Sequence, residues 1–267
     1  MTKIKTFYRY FMDFLRYGQF RLLIASAIYI IGKKSILDTR VFKGKLGYFL
    51  HRKGSLDFQF GNYAYEWSVK QFINKHYGSY QYFFDIGSNI GTYSIFTARK
   101  GMNVIAFEPI YENFKALNIN VLLNDLEKKV QCNNYGLSDS KSEAEFAFNP
   151  INTGASHLSS YPSEFDYQAV KSISKKVKLV RLDDMIEEFN IPLEKSIMVK
   201  IDVEGMEAQV LKGSKNFIRK YKNLLFVIES IHSGENNLKT ILNEIAVFEF
   251  YTIDALNFGA KKLGNHK

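Results

Sequence analysis

The amino-acid sequence predicts an α/β fold in which a mostly parallel β-sheet is covered by helices on both faces. From about residue 58, short apolar segments alternate with longer segments of helical spacing, at the period of βαβ units. The apolar segment "YFFDI" leads into a glycine-containing turn, and a helical pattern follows that turn. Parallel strands are implied, because they need crossover connections of this kind.

The first half of the alternation is regular. It predicts a helix over 63–77, a strand over 82–86, a helix over 89–101, a strand over 103–109, a helix over 111–125 and a strand over 129–138. Gly101 supports the end of the second of these helices, because glycine is favoured just after the last helical turn.

The second half is interrupted before it resumes. This alternation of strands and helices is interrupted by a strand over 143–148, in which apolar and polar residues alternate, and by a polar loop over 149–163. The pattern then predicts strands over 177–182, 196–202, 223–230 and 248–254, and helices over 183–189, 203–221 and 235–245. The sequence has no internal repeat and no long Gly/Ser-rich or Pro-rich linker, which favours a single domain over 56–267.

The composition is that of a globular protein with a substantial core. Hydrophobic residues make up 46% of the 267 residues and aromatic residues 15%, which argues against disorder. Cys132 is the only cysteine, so an internal disulfide framework and a cysteine-rich metal site are excluded. A cytoplasmic location fits this cysteine usage.

Positive charge is concentrated at the N-terminus. The net charge is +9, and residues 1–53 carry twelve Lys and Arg residues against only Asp13 and Asp38. The remainder is close to neutral, which indicates a basic, aromatic, helical arm over 1–55 attached to the domain that follows. The apolar run "LLIASAIYII" within the arm is too short to span a bilayer.

The arm has several interpretations. Its mixture of aromatic and basic residues suits a helix that lies at a membrane interface, such as the inner face of the membrane. It equally suits packing against the domain or contact in a homo-oligomer. The charge also raises nucleic acid as a partner, but the sequence has no "DPPY"-like strand end, zinc signature or helix-turn-helix signature. We therefore expect no nucleic-acid partner.

The turn after residues 82–86 is the first sign of a ligand. Its spacing is Asp85-x-Gly87-x-x-x-Gly91, unlike the G-x-G-x-x-G of dinucleotide sites. An acid before the first glycine would repel a pyrophosphate, whereas it would pair with an ammonium group. S-adenosylmethionine has an ammonium group and no phosphate. Glu108, which ends the next strand, offers acceptors for two ribose hydroxyls, so both acids fit one adenosyl ligand.

The sequence resembles the FkbM-type S-adenosylmethionine-dependent methyltransferases from about residue 80 to about residue 230. The resemblance lies in "FFDIGSNIGTYSIF", "VIAFEPIYENFKALNINVLLN", "NYGLSDSKSEAEF", "NTGASHL", "VRLDDM" and "MVKIDVEGMEAQVLKGS". It implies a Rossmann-like class I domain of about seven strands that transfers a methyl group, usually to a hydroxyl. It does not cover the arm.

The resemblance also implies positions for the cofactor. Asp85, Gly87, Asn89 and Gly91 would hold the methionine end, and Glu108 would bind the ribose. The adenine would lie near Pro109, Ile110, Ser138 and Asp139.

Candidates for the chemistry come from the ends of the later strands. An alcohol is a poor nucleophile, so its methylation needs a base or a divalent cation. We expect Asp202 beside the reactive methyl group and His232 as the proton acceptor, with Glu204 as a further catalytic candidate or as a helix cap. Alternatively, Asp202, Glu204 and Glu229 could hold Mg²⁺. Asn152, Thr153 and His157 lie in the loop expected to close over the acceptor.

These features favour an O-methyltransferase that acts on a sugar hydroxyl of a surface glycan or of its lipid-linked precursor. The alternatives are a methyltransferase for nucleic acid or another small molecule, and a catalytically inactive scaffold with the same fold.

Overall fold

A computed structural model describes residues 3–32, 35–154, 157–158 and 172–266 of the chain. The N-terminal part consists of α1 (Lys3–Arg16), α2 (Phe20–Gly32), β1 (Arg40–Gly44), β2 (Gly47–His51), α3 (Asp57–Phe60) and α4 (Trp67–His76). Among the described residues, no helix combines the length and the apolar character needed to cross a bilayer.

The remaining elements alternate as expected, with one additional small sheet. The first group is β3 (Tyr82–Ile86), α5 (Thr92–Ala98), β4 (Asn103–Phe107), α6 (Tyr111–Leu122) and β5 (Val130–Asn133). The small sheet follows with β6 (Gly136–Leu137), β7 (Ser142–Phe148), β8 (His157–Leu158) and β9 (Ile173–Val180). The last group is α7 (Leu182–Met185), β10 (Ile197–Ile201), α8 (Glu207–Lys212), α9 (Lys215–Lys220), β11 (Leu224–Glu229), α10 (Glu235–Ile245), β12 (Val247–Thr252) and β13 (Asn257–Gly264).

The main sheet has seven strands in the spatial order β5-β4-β3-β10-β11-β13-β12. Neighbouring strands from β5 to β11 are parallel, and β13 alone runs antiparallel to its two neighbours. The predicted α/β fold with a mostly parallel sheet is confirmed. Strand order reverses between β3 and β10, and the carboxyl ends of strands beside such a reversal form a crevice where ligands bind.

Apolar residues on both faces hold the sheet between layers of helices. Successive residues of β3 illustrate this, because Phe83 packs into one hydrophobic cluster and Phe84 into another. Both rings are fully buried, and burying such a side chain stabilises the fold by about 1.5–3 kcal/mol. A continuous apolar run therefore marks a strand that is covered on both sides.

The N-terminal part differs from the helical arm predicted over 1–55. It is helical in α1 and α2, but residues 40–51 form the antiparallel hairpin of β1 and β2. Alternate hairpin side chains, including Phe42 and Phe49, are buried, so the period is that of a strand. The boundary at residue 55 stays a prediction.

The two N-terminal helices are fastened to the rest of the chain on one side. Phe14 and Leu22 are buried in the same hydrophobic cluster as Phe83. The carboxylate of Asp13 accepts hydrogen bonds from the backbone N–H of Lys45 (3.2 Å) and of Tyr63 (2.9 Å). One side of α1 and α2 therefore packs on the chain's own domain.

Two further predictions were wrong. The segment 203–221 is two short helices, α8 and α9, which are separated at Gly213. A Cβ at Gly213 would lie 1.9 Å from the carbonyl oxygen of Ser138, so the backbones meet there. The strand β13 was not anticipated at all.

Candidate active site

Two adjoining cavities lie at the carboxyl ends of β3, β4 and β10. The smaller has a volume of about 50 Å³ and the larger about 390 Å³. Both are lined by Gly87, Asn89, Gly154, Asp202 and Glu204. The crevice expected where strand order reverses is therefore present as two cavities that share part of their walls.

Left-handed backbone favours glycine at both positions of the turn, and packing against backbone also requires it at Gly87. Gly87 has φ +84°, and a Cβ there would lie 1.8 Å from the carbonyl oxygen of Asp202. Gly91 has φ +87°, and a Cβ there would lie 2.5 Å from Cδ1 of Leu117. At Gly87, the space that a side chain would need is taken by the backbone that follows β10.

Asp85 lies beneath the cavities and does not line either of them. It is 1% exposed, and its carboxylate accepts a hydrogen bond of 2.6 Å from the hydroxyl of Ser94. Burial raises the pKa of Asp85 to about 6, although the charge of Lys200 opposes the rise. Asp85 therefore belongs to a buried polar cluster, and its place at the methionine end of a cofactor stays a prediction.

Asn89 and Glu108 do face the smaller cavity. The backbone N–H of Asn89 donates to one oxygen of Glu108 (2.8 Å), and that of Ile110 donates to the other (2.9 Å). These bonds fix the carboxylate and leave further lone pairs for hydroxyl donors. Burial raises the pKa of Glu108 to about 7. The side-chain oxygen of Asn89 is buried and has no hydrogen-bond partner among the described residues.

The remaining wall of the smaller cavity is largely apolar. Pro109, Ile110, Leu137, Leu179 and Met206 contribute to it. This lining is of a kind that can take a flat heterocycle, and the carboxylate of Glu108 beside it has lone pairs that can accept hydrogen bonds from hydroxyls.

Ser138 and Asp139 lie away from this wall. Neither is among the residues that line the smaller cavity, where Leu137 takes the expected place. The carbonyl of Ser138 instead packs against Gly213, and its hydroxyl lies 3.4 Å from the carboxylate of Asp139.

Asp202 is paired with a buried lysine that sequence analysis missed. Nζ of Lys200 lies 2.6 Å from Oδ2 of Asp202 and 4.6 Å from the centre of the Tyr93 ring. Lys200 is 3% exposed and lies opposite Asp85 in the sheet. Burial alone would lower the pKa of Lys200, but the carboxylates of Asp202, Glu66 and Asp85 raise it above its usual value. The lysine is therefore a fixed cation in the wall of the larger cavity.

Glu204, Glu229 and His232 form a second polar cluster, at the ends of β10 and β11. Their ligand atoms all lie within 4.8 Å of one another, and Nε2 of His232 lies 3.0 Å from Oε2 of Glu204. Burial, together with the charges of Asp202 and Glu204, raises the pKa of Glu229 to about 10. Burial raises the pKa of Glu204, and the hydrogen bond to Glu204 raises the pKa of His232.

This grouping differs from the metal set that we expected. Asp202, predicted beside Glu204 and Glu229, is paired with Lys200, and His232 takes its place in the cluster. One imidazole and two carboxylates form a donor set that can bind a divalent cation.

Glu66 is a further acid that sequence analysis missed. It lines the larger cavity and accepts a hydrogen bond of 2.7 Å from the hydroxyl of Tyr93. Glu66, Asn89 and Glu204 have φ of 44°, 48° and 52°, and all three line this cavity. Such left-handed backbone in residues other than glycine costs about 1–3 kcal/mol and concentrates at functional sites.

The predicted acceptor loop reaches both cavities. Asn152 lines the larger cavity and Thr153 the smaller one. The hydroxyl of Thr153 donates to Asp57 (3.0 Å), and its carbonyl accepts from Asn113 (3.0 Å), so Thr153 also fastens the loop. The backbone of His157 is in β8, but its side chain lies outside the described part of the structure.

The fold and this site together define a class of protein. A seven-stranded sheet that reverses between β3 and β10, with acids at the carboxyl ends of β4 and β10, is the Rossmann-like domain of class I methyltransferases. The chain belongs to the FkbM methyltransferase family. The family model, described as "Methyltransferase FkbM domain", matches residues 85–255, which is more than half of the chain.

Two relatives illustrate the similarity. A hexuronic acid methyltransferase, AglP, from Haloferax volcanii is 35% identical over 150 residues, which cover 56% of this chain and 55% of that protein. The methyltransferase sdnD from Sordaria araneosa is 31% identical over 153 residues, covering 48% of this chain and 58% of that protein. The chain thus spans little more than half the length of the curated relatives that it matches.

Solved structures show a more distant likeness. The N-terminal domain of human METTL16 has 12% identity and a TM-score of 0.41, with 93% of this chain and 82% of that chain covered. The ribosomal protein L11 methylase from Lactobacillus delbrueckii subsp. bulgaricus has 12% identity and a TM-score of 0.43, with 74% and 78% covered.

Proposed function

We propose that the protein transfers a methyl group from S-adenosylmethionine to a sugar hydroxyl of a surface glycan or of its lipid-linked precursor. The observation that carries the proposal is the junction of the two cavities. In the smaller cavity, the fixed carboxylate of Glu108 lies beside an apolar wall, an arrangement that suits an adenosyl group. The adjoining larger cavity is lined by acids and aromatic rings. Family membership supports methyl transfer, and the hexuronic acid methyltransferase among the relatives supports a sugar acceptor.

The smaller cavity offers the groups that the adenosyl part of the cofactor needs. Glu108 would accept hydrogen bonds from the ribose, and Pro109 and Ile110 would flank the adenine. Asn89, with its unpartnered side-chain oxygen, would receive a donor from the methionine end near Gly87. S-adenosylmethionine supplies an electrophilic methyl group when it is bound.

The larger cavity would take the acceptor. Its volume lies within the range of roughly 300–1,000 Å³ found for ligand pockets. Phe60, Tyr65 and Tyr93 offer aromatic surface, and Asn152 offers hydrogen bonds to a polyhydroxylated ring. His232, oriented by Glu204, would take the proton of the reacting hydroxyl, while Asp202 would help to orient the acceptor.

A divalent cation, such as Mg²⁺, is an alternative means of activating the hydroxyl. The cluster of Glu204, Glu229 and His232 would hold it, and the carboxylate oxygens are its preferred ligands. The two possibilities are separated by turnover with and without EDTA and added Mg²⁺. Loss of turnover in EDTA, restored by Mg²⁺, would assign the cluster to a cation.

The first experiment is a calorimetric titration of the purified protein with S-adenosylmethionine and S-adenosylhomocysteine. We expect micromolar binding of both. Binding of neither would overturn the proposal and favour an inactive scaffold. Salt-resistant binding of RNA or DNA would favour the nucleic-acid alternative.

The second experiment measures transfer of labelled methyl groups to a panel of hexosides, hexuronides and lipid extracts. A product that survives mild alkali is an ether formed at a hydroxyl, as proposed. A product that releases its label in mild alkali is an ester formed at a carboxylate, which would contradict the choice of a hydroxyl.

Substitution of His232 tests the proton acceptor. His232→Asn should retain cofactor affinity and lose about 100-fold or more in turnover, because positioned bases contribute roughly 10²–10⁴-fold. His76→Asn is the matched control, because His76 packs against Phe72 and lines neither cavity. Equal turnover of the two variants would remove His232 from the mechanism.

A further inference from the structure

A third cavity, here called the helix groove, lies between α1 and α2. It has a volume of about 630 Å³. Thr6, Phe7, Tyr10, Phe11 and Phe14 line it from α1, Leu23, Ser26, Ala27, Tyr29 and Ile30 from α2, and Gln59 from α3. None of these lining residues, among those the structure describes, carries a charge. The groove therefore suits a flexible hydrocarbon and not a sugar.

The helix groove adjoins the larger cavity. Tyr29 and Gln59 line both, so the two spaces border each other at these side chains. An extended molecule could therefore place an apolar end between α1 and α2 and a polar end beside Asp202 and His232.

The surroundings of the groove match an amphiphile with a negatively charged head. Phe7 and Ile30, at its rim, are 59% and 55% exposed. The two helices that form the groove also carry five Lys and Arg residues and one acid, Asp13. Apolar helix faces with an excess of basic residues bind at anionic lipid surfaces.

We propose that the helix groove binds the hydrocarbon chain of the acceptor, which is therefore an anionic lipid-linked sugar. The proposal rests on the proposed function, because it names the form in which the sugar reaches the larger cavity. The chain lies between α1 and α2, and the sugar passes Tyr29 and Gln59 to the site.

The test uses dodecyl phosphate below its micelle concentration, with hexyl phosphate and inorganic phosphate for comparison. Binding is followed by calorimetry and by the fluorescence of Trp67, the only tryptophan, over which Arg9 of α1 lies at 4.1 Å. We expect affinity to rise from inorganic phosphate to hexyl and then to dodecyl phosphate. Equal affinity for all three would overturn the proposal.

Two variants of α2 separate the groove from the outer surface of the helix. Ala27→Glu places a charge in the groove, and Ile24→Glu places the same charge outside it; both positions are exposed. We expect Ala27→Glu to weaken dodecyl phosphate binding about 10-fold or more, because an apolar site disfavours a charge, and Ile24→Glu to change it less than about 2-fold. Equal weakening would overturn the groove as the binding site.

Two controls keep this outcome distinct from failure of the proposed function. S-adenosylhomocysteine affinity should be unchanged in both variants, since neither residue lines the smaller cavity. If the wild-type protein bound S-adenosylhomocysteine normally but did not bind dodecyl phosphate, that result would count against the groove alone and not against the proposed function. A dimer in sedimentation that Ala27→Glu dissociates would show that a second copy covers the groove, and would overturn the proposal.

Discussion

Lys200 and Asp202 form an ion pair in which Nζ lies 2.6 Å from Oδ2, at the end of the central strand β10. The same lysine lies opposite Asp85 of β3, so one buried cation is shared by two acids. Burial of a lone charge is costly, and each of these groups is tolerated because the others are present. The group that orients Asp202 thus belongs to the central sheet and also lines the larger cavity.

Removal of this cation should destabilise the protein strongly. We expect Lys200→Met to lower the free energy of unfolding by about 3–5 kcal/mol, because Asp85 and Asp202 lose their buried partner. Without Lys200, the pKa of Asp85 should rise further above its unfolded value. Stability should then fall as pH rises, since the folded state holds a proton that the unfolded chain releases.

Urea denaturation at pH 5 and pH 8 checks this expectation. The loss of unfolding free energy caused by Lys200→Met should be larger at pH 8 than at pH 5. Lys178→Met, an exposed lysine in β9, is the control. A deficit that is as small as that of the control would contradict the role of Lys200.

Gly87 offers a test of the packing at the turn. Gly87→Ala should destabilise the protein far more than Gly101→Ala, although both positions have positive φ (84° and 95°). An alanine Cβ would lie 1.8 Å from the carbonyl of Asp202 at position 87, whereas position 101 has nothing within 4 Å. Gly101→Ala should cost only about 1–2 kcal/mol, from backbone strain. Similar unfolding free energies for the two variants would contradict the close approach of β3 and β10.

The sequence allowed the central strands to be located because they are buried on both faces. Residues of β3 and β10 are apolar without interruption except at Asp85 and Lys200, and those exceptions are buried ionic partners. The strand β13 was missed because Gly259 and Lys262 break its apolar pattern. Gly259 lies under the ring of Phe72, and Lys262 is buried with its ammonium group donating to the carbonyl of Ile218.

The site was predicted only in part, for a physical reason. Glu108 was found because it ends a recognisable strand, at the sheet edge where ligands bind. Glu66 was missed because a glutamate in the sequence does not indicate left-handed backbone, as a glycine can. Its hydrogen bond to Tyr93 also joins residues that are 27 positions apart in the sequence. Side-chain contacts across such separations depend on the fold and leave no local pattern.

Glu108 should make cofactor binding depend on pH. Its pKa is raised to about 7 by burial, and only the ionised carboxylate offers both oxygens as acceptors. S-adenosylhomocysteine affinity should therefore weaken as pH falls from 8 to 6. We expect Glu108→Gln to bind about 10- to 100-fold more weakly, the loss of a charge-assisted hydrogen bond of roughly 1.5–3 kcal/mol, and to show a flatter pH profile.

Calorimetry at several pH values provides the measurement. Glu112→Gln is the matched control, because Glu112 lies four residues further along and lines neither cavity. If Glu108→Gln bound the ligand as tightly as the control, Glu108 could not be the ribose acceptor.

Lys70 should make stability depend on pH in the opposite direction to Asp85. It is fully buried in α4, donates to the carbonyl of Tyr65 and lies against the ring of Tyr93. Burial lowers its pKa from 10.5 to about 7. Above pH 7 the folded state therefore releases a proton that the unfolded chain keeps up to about pH 10.5, so wild-type stability gains as pH rises through this window.

Lys70→Met removes this titration and replaces a buried charge with an apolar side chain of similar length. The free energy of unfolding of Lys70→Met, taken relative to that of the wild type, should be highest at pH 7. It should fall by up to about 1.4 kcal/mol per pH unit toward pH 9. Denaturation at pH 7, 8 and 9 gives the difference directly. Lys75→Met, at an exposed position of the same helix, should show no such trend. A constant difference between Lys70→Met and wild type would mean that Lys70 keeps its proton throughout and that nearby Glu66 balances its charge.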